Sequence, residues 1–386
     1  MAEHLPITGR PPLYVPALPA RRSALRAYAG LASHVRAGTA PLWTIPPRAG
    51  PVRPVGHGAE PGHDRDLRAL AGHVRAAADA ILRAQRALPG WVDACHVEDE
   101  PGPVDAVLRD LLAAGRLRPV TGTERAERQQ YAAAEAARAS GDGLGIRVLL
   151  PVLPDEREAE SVRELIGRIR GTAGPHAIPL DLLLDLGAVT DEHHRADKWV
   201  VRALELLAGL HPWRTVALIA GAVPREVSDV PVGGLTEPHR FDWDVLHMVL
   251  HATEAEAPLL TYGDYGAQDI GGADQPAERG GGPAWGLLRY TTERTFLLAK
   301  APTGGGPDRA ERIRSLARQL VESADMDFRG PHFSAGDRWL DACARESGSE
   351  GTGTPGRWIE AGHSQHMTFV TRQLKTARKD RKRRST

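Results

Sequence analysis

Cysteine is scarce in this chain of 386 residues. The two cysteines, Cys95 and Cys343, belong to no CxxC or other metal-ligand spacing. Such a pair excludes a disulfide-rich scaffold and a cysteine-based zinc site. We expect two reduced thiols in a cytoplasmic protein.

Long apolar runs are also missing. The longest, such as "VALIAG" at residues 216–221, are too short to cross a bilayer. The opening "MAEHLPITGRPP" has no apolar core of the kind that a signal peptide needs. The sequence therefore predicts a soluble protein without a membrane partner.

Lysine is rare, with five residues against 44 arginines, and three of the five lie in the last twelve positions. The formal net charge is zero, so the overall charge does not indicate a nucleic acid, a membrane or any other charged partner. The ending "KTARKDRKRRST" (375–386) nevertheless has seven basic residues in twelve. Such a run is usually disordered, and it can add salt-dependent affinity for nucleic acid.

The familiar catalytic motifs are absent as well. The chain has no GxGxxG or GxxxxGKS after its first apolar run, no HExxH, and no serine nucleophile elbow. This disfavours classical dinucleotide, zinc-protease and serine-hydrolase chemistry. The residues identify no cofactor, predict no metal site, and leave open whether the protein is an enzyme.

What the sequence does contain is a repeated pattern of short apolar runs followed by segments with helical spacing. The eight runs are "LYVPAL" (13–18), "PLWTIP" (41–46), "WVDACHV" (91–97), "LRPVT" (117–121), "IRVLLPV" (146–152), "PLDLLLDLG" (179–187), "TVALIAGA" (215–222) and "PLLTYGDYG" (258–266). Strands that are apolar throughout need cover on both faces, which is typical of a parallel sheet.

Eight such units predict an α/β protein with a (βα)8 TIM-barrel-like domain, and an open doubly wound sheet is the alternative. The later segment "AWGLLRYTTERTFLLAK" (284–300) predicts a β-hairpin, which would begin a C-terminal extension with helices. The predicted organisation is a disordered N-terminus (1–12), the barrel (13–268), a Gly-rich linker (269–283), an extension packed on the barrel (284–379) and a basic tail (380–386).

Catalytic groups of such barrels lie at the carboxyl ends of the strands. Asp185 closes an otherwise apolar strand, and Asp264 and Tyr265 lie in the glycine-flanked "YGDYG". If both carboxylates point into the mouth they can act as acid and base or hold a cation, so we predict all three residues as catalytic. The structural alternative for Asp185 is that it caps the turn at Gly187.

Three further residues are predicted to contact a ligand. Arg289 lies among apolar residues of the hairpin and needs an acidic or phosphate partner, which an internal salt bridge would also provide. His363 and His366, in "GHSQHMTFVTRQL" (362–374), are predicted in the first turn of a final helix capped by Ser364. That end of a helix favours anions, so they are candidate contacts for an anion or a carboxylate at the mouth.

Several segments, taken in order, resemble the Beta protein family, which is named after a phage protein. They are "YVPALPARRSALRAYAGL", "PLWTIPP", "LLLDLG", "YGDYGAQ", "LLRYTTERTFLLAK", "FSAGDRWLDACA" and "WIEAGHSQHMTFVTRQL". The resemblance runs from Tyr14 to Leu374. It implies a closed α/β barrel with a C-terminal extension. It does not imply a particular reaction.

This chain departs from the family pattern at two places. After the first strand, where members have a stretch rich in lysine and glycine, Arg21 and Arg22 supply the charge, and Arg21 becomes a candidate ligand-binding residue. In the closing motif, members often have adjacent histidines, whereas Gln365 here separates Ser364 from His366. Any role that needs two neighbouring imidazoles is in doubt.

Two functional hypotheses follow. In the first, the barrel mouth binds or acts on a phosphate-containing ligand, a nucleotide or nucleic acid, and serves in phage defence, since relatives occur near phage-defence genes. In the second, the barrel is a non-catalytic scaffold for a nuclease-like or other defence partner.

Overall fold

The computed structural model describes most of the chain, namely residues 11–48, 61–99, 103–173, 177–190, 195–225, 227–253, 260–271, 285–346 and 351–384. Most of the predicted N-terminal disordered segment (1–12) and of the Gly-rich linker (269–283) lies outside these residues.

Eight parallel strands close into a barrel, as the apolar runs predict. They are β1 (Tyr14–Pro19), β2 (Leu42–Thr44), β3 (Gly90–Asp93), β4 (Leu117–Thr121), β5 (Leu144–Leu149), β6 (Leu180–Ala188), β7 (Thr215–Gly221) and, after the short β8 (Leu235–Thr236), β9 (Leu260–Asp264). Closure is made where β1 pairs on one side with β2 and on the other with β9. The open-sheet alternative is therefore wrong.

Helices follow the barrel strands and cover their outer face. They are α1 (Arg22–Ala29), α2 (Ser33–Arg36), α3 (Pro61–Gln85), α4 (Pro103–Ala114), α5 (Glu127–Ser140), α6 (Glu156–Ala173), α7 (Ala196–Leu207) and α8 (Phe241–Ala252). Each presents an apolar stripe to the strands, as Val162, Leu165, Ile166 and Ile169 do in α6. Among the described residues, no helix combines the length and the apolar character needed to cross a membrane.

The predicted hairpin is confirmed as β10 (Trp285–Thr291) and β11 (Phe296–Pro302), which pair antiparallel. The extension also contains α9 (Arg309–Ala324) and α10 (Ala335–Ala344). One strand of its sheet was not predicted: β8, from the loop between β7 and α8, pairs with β11. Barrel and extension thus share a sheet.

The final helix differs from its prediction. It is α11 (Pro355–Arg384), so it begins eight residues before His363 and continues through most of the predicted basic tail. Proline at the first helical position is favourable, because its fixed φ suits a helix and its missing N–H is not needed there. The Arg357 N–H donates a long capping hydrogen bond to the Thr354 hydroxyl, at 3.4 Å. The Gly- and Pro-rich composition of this start resembles a loop, which explains the error.

Helix α11 packs against α1 and β1, and Met367, Val370 and Leu374 belong to the main core of the barrel. It therefore occupies the place of the eighth barrel helix, which the chain supplies only after the extension. Its other contacts are with β10 and α10 in the extension. This helix fastens the two parts together.

Candidate functional site

The floor of the barrel mouth is a buried ionic network centred on Arg147 of β5. Its Nη1 donates to Asp93 Oδ2 of β3 at 2.6 Å, and its Nε donates to Asp185 Oδ2 of β6 at 2.8 Å. The two carboxylate side chains are fully buried, and the side chain of Arg147 is 11% exposed. Buried ion pairs contribute little net stability, so a network at this end of a barrel is a candidate functional site.

Arg125, in the loop after β4, extends this network towards the rim. It donates to Asp93 Oδ1 at 3.2 Å and to Glu98 Oε1 at 2.6 Å. Burial acts to raise the pKa of Asp93, but the two neighbouring guanidinium groups outweigh it and lower that pKa below its usual value. Burial, together with Asp93, raises the pKa of Glu98 although Arg125 is beside it. Of the two carboxyls that Arg125 contacts, Glu98 therefore takes up a proton more easily than Asp93.

Tyr265 follows β9 and completes the floor. Its hydroxyl donates to Asp185 Oδ2 at 2.7 Å and accepts from Arg147 Nη2 at 3.0 Å. Burial and the charge of Asp185 raise the phenol pKa well above its usual value, so the hydroxyl stays protonated and acts as a donor. Asp185 also caps its turn, because Oδ1 accepts from the Gly187 N–H at 2.8 Å. Both interpretations of Asp185, mouth residue and turn cap, therefore apply.

Asp264 does not join this site. Alternate residues of a strand face opposite sides, and Asp264 shares its side with Tyr262, which packs in the core between strands and helices. Its carboxylate accepts from the Tyr14 hydroxyl, from Gly266 N at 2.8 Å and from His366 Nε2 at 2.9 Å. The expectation that Asp185 and Asp264 face a common mouth is wrong, because they lie on opposite faces of the barrel sheet.

The two histidines of α11 lie in the interior of the helix, so the anion-favouring N-terminus plays no part at either. Ser364 is not a cap, since it is a helical residue whose carbonyl accepts from the Thr368 hydroxyl. His366 bridges Asp264 and the Thr291 hydroxyl, at 2.9 and 2.8 Å. This agrees with the expected carboxylate contact, but the contact lies outside the mouth.

His363 is held as a neutral ring. Its Nδ1 lies 3.3 Å from the Ala267 N–H, and Nε2 lies 3.0 Å from Gln268 Oε1. Burial, with smaller contributions from His366 and Arg289, lowers the pKa of His363 to about 3. An uncharged imidazole with both nitrogens engaged is a poor contact for an anion. His363 instead holds the loop after β9 in place through Ala267 and Gln268.

Two arginines lie above the floor, close to the loop after β9. Arg289 reaches across from the extension, where its side chain packs near Ala267 and Gly362. Its Nη1 donates to the Leu287 carbonyl at 2.9 Å, and its buried Nε has no hydrogen-bond partner among the described residues. Burial lowers the pKa of Arg289 to about 10, and Asp269 offsets only part of that effect. Burial likewise lowers the pKa of Arg21, again with Asp269 acting against it.

Sequence reasoning missed the central residues of the floor, namely Asp93, Arg125 and Arg147. A signal for two of them was present, because Arg147 interrupts the apolar run of β5 and Asp93 ends that of β3, as Asp185 does in β6. Arg125 lies in a polar loop and carried no comparable signal. Within the described residues, no three His, Cys, Asp or Glu side chains are grouped to hold a metal ion.

These features define the class of the protein: a (βα)8 barrel whose carboxyl mouth is floored by a buried network of arginines and carboxylates, with an extension reaching over it. The chain belongs to the Beta protein family, whose model matches residues 14–372. A comparison with curated proteins finds no match.

Proposed function

We propose that the protein binds a phosphate-containing ligand at the carboxyl mouth of the barrel. Arg289 and Arg21 would contact the phosphate, and Tyr265 with the Arg147–Asp185 pair would form the floor below it. The observation that carries the proposal is the incompletely solvated cation of Arg289, with its unpartnered buried Nε and its lowered pKa. A phosphate offers acceptors that match a guanidinium group.

The geometry favours binding over acid–base catalysis. Asp185, predicted as a catalytic acid or base, is already paired with Arg147 and accepts from Tyr265 and Gly187. Both of its oxygens thus already accept hydrogen bonds within the protein. The catalytic roles predicted for Asp185 and Tyr265 are accordingly replaced in this proposal by positioning roles, and Asp264 is assigned to the attachment of α11.

Calorimetric titration of the protein with inorganic phosphate, pyrophosphate and ATP tests the proposal. We expect at least one of them to bind and to stabilise the fold, by about 2.7 kcal/mol at a hundredfold excess over Kd. Arg289→Met should abolish that stabilisation. Because it replaces a poorly solvated cation by an apolar chain of similar length, it should leave the ligand-free protein as stable as the wild type or more so.

Arg294→Met is the matched control, since Arg294 is exposed at the turn of the same hairpin. It should bind like the wild type. Equal affinity in the Arg289→Met and Arg294→Met variants would contradict the proposal, as would the absence of binding by all three probes.

A scaffold function is the second candidate, and one feature favours it. Leu149, at the end of β5, is 47% exposed, and Val152 and Leu153 in the loop that follows are 65% and 56% exposed, at the same end of the barrel. An apolar cluster of this kind suits a protein partner. Replacing all three by serine should abolish binding to a co-purified partner without affecting the calorimetric titration above.

We further propose, from the resemblance to a phage-named family, that the protein acts in phage defence. A host carrying the wild-type gene should show fewer plaques than one carrying the Arg289→Met variant. Equal plaque counts, with equal protein levels, would contradict a role that depends on the mouth.

A further inference from the structure

A groove of about 720 Å³ lies outside the barrel mouth, between α8, the segment 327–333 and the second half of α11. It is larger than the groove of about 500 Å³ between α1 and α3. Nothing in the proposed mouth site uses it. Its walls combine aromatic rings with cationic side chains.

The aromatic wall is formed by Trp243, Phe333 and Phe369. The rings of Phe333 and Phe369 are 6.4 Å apart between centroids and tilted by 57°. The guanidinium group of Arg372 lies over Phe333, 4.3 Å from the ring centroid. Aromatic faces flanked by arginine are the surfaces on which unpaired bases stack.

A stripe of exposed polar side chains leads out of this groove along α11. Arg372, Thr376, Lys379 and Arg383 are all exposed, and their spacing of four, three and four residues places them on one face of the helix. The stripe covers about 16 Å of helix. Three of its four members are cations, so it is suited to follow a phosphate backbone.

The positive charge of α11 beside the groove indicates which class of partner the groove binds. Residues 375–384 hold seven Lys or Arg and one Asp, in a chain whose formal net charge is zero. The acidic residues of the groove lie near the hairpin turn: Asp327 accepts from Glu293 N at 2.8 Å, and Glu293 is exposed. A single-stranded nucleic acid offers a polyanionic backbone to the cations and base faces to the aromatic wall in one regular chain, whereas acidic side chains would meet only the cations.

We infer that this groove and the adjoining stripe of α11 bind single-stranded nucleic acid. Bases stack against the partly exposed ring of Phe333, which is supported by the buried Phe369, and the backbone runs along Arg372, Lys379 and Arg383. The site is independent of the barrel mouth and of any small ligand bound there.

Fluorescence anisotropy with a labelled oligothymidylate and the full chain tests the inference across a series of salt concentrations. We expect binding at low salt that weakens as salt rises, and weaker binding to duplex DNA of the same length. The triple variant R372Q/K379Q/R383Q should reduce the slope of log K against log salt by about 2, since each single-strand phosphate contact contributes about 0.7.

Phe333→Leu keeps the apolar volume and removes the stacking face. It should weaken binding by about tenfold at every salt concentration and leave the slope unchanged. The matched control is R138Q/R157Q/R163Q, which removes three exposed arginines from α5 and α6, on the far side of the barrel from α11. This control should bind like the wild type.

Three outcomes would overturn the inference. They are no binding at low salt, equal losses in the α11 triple variant and its control, and equal affinity for single-stranded and duplex DNA.

Discussion

Arg147 joins carboxylates from two strands that are not neighbours in the barrel, Asp93 of β3 and Asp185 of β6. Each carboxylate is fully buried, so each depends on a nearby cation for its charge. Among the described residues, removal of the arginine would leave Asp185 with Tyr265 and a backbone N–H, whereas Asp93 would keep Arg125. The cost of the change should therefore fall mainly on Asp185.

We expect Arg147→Met to lower the free energy of unfolding by about 3–5 kcal/mol, because it leaves an uncompensated buried charge. The double variant R147M/D185N should recover much of this loss, since the remaining amide is neutral. Urea unfolding at neutral pH measures both. A loss below about 1 kcal/mol in the single variant would show that water reaches Asp185 and solvates it.

His363 predicts a pH dependence of stability. Its pKa is lowered to about 3 in the folded protein from an ordinary 6.5, so the unfolded chain binds a proton that the folded chain rejects. The contribution of this residue is therefore complete above about pH 6.5 and is lost as the pH falls towards 3. The slope is at most about 1.4 kcal/mol per pH unit.

Comparison of the wild type with His363→Gln between pH 7 and pH 4.5 isolates this effect, because the other titrating groups are common to both proteins. The free energy of unfolding of the wild type should fall more steeply than that of the variant. Parallel curves would mean that His363 is protonated in the folded state.

At the scale of elements, two helices of the extension meet at unusually close range. A Cβ added at Gly336 in α10 would lie 2.1 Å from the carbonyl oxygen of Ala361 in α11. Gly72, in the interior of α3, is exposed and has no neighbour within 4 Å of such an atom. The two glycines thus form a matched pair.

We expect Gly336→Ala to destabilise the protein by about 1–3 kcal/mol, because the helices must move apart. Gly72→Ala should stabilise it by about 0.5–1 kcal/mol, because alanine is the better helix former. Thermal unfolding compares them. Equal shifts of Tm in the same direction would contradict the close packing of α10 on α11.

The order and the closure of the barrel strands were predictable, because each strand is an apolar run with its own helix stripe. Strand β8 was not, since two residues carry no periodicity and only pairing with β11 defines them. At the candidate site, Asp185 was found because a charge at the end of an apolar strand is conspicuous in sequence. The outward direction of Asp264 could have been read from its alternation with Tyr265. The contact of Asp264 with His366 was not predictable, because it depends on where α11 begins. The Gly- and Pro-rich composition at that point resembles a loop and gives no sign of a helix start.

At the scale of the whole molecule, barrel and extension do not separate into independent units. The loop between β7 and α8 gives β8 to the extension sheet, and α11 contacts both α1 of the barrel and β10 of the extension. We therefore expect calorimetry to give one cooperative transition, with van't Hoff and calorimetric enthalpies that agree. Two resolved transitions would show that the barrel closes without α11.

Truncation of α11 also tests whether the barrel needs this helix in order to fold. Removal of residues 377–386 deletes only positions beyond Leu374, the last buried residue of α11 among those whose burial is described, and should change Tm by less than about 2 °C. Removal of residues 355–386 should leave the protein insoluble, because the outer faces of β1 and β9 lose their cover. Soluble, cooperatively folding protein from the longer deletion would contradict the role of α11 as the eighth barrel helix.

This late helix also has a consequence for biosynthesis. The ribosome makes β1 well before α11, at roughly 5–20 residues per second. Until residues 355–374 have left the exit tunnel, the seam where β1 meets β9 has no partner, and the aromatic side chains of Tyr14 and Tyr262 face the solvent or a chaperone. Strand β1 is thus translated long before the helix that covers it.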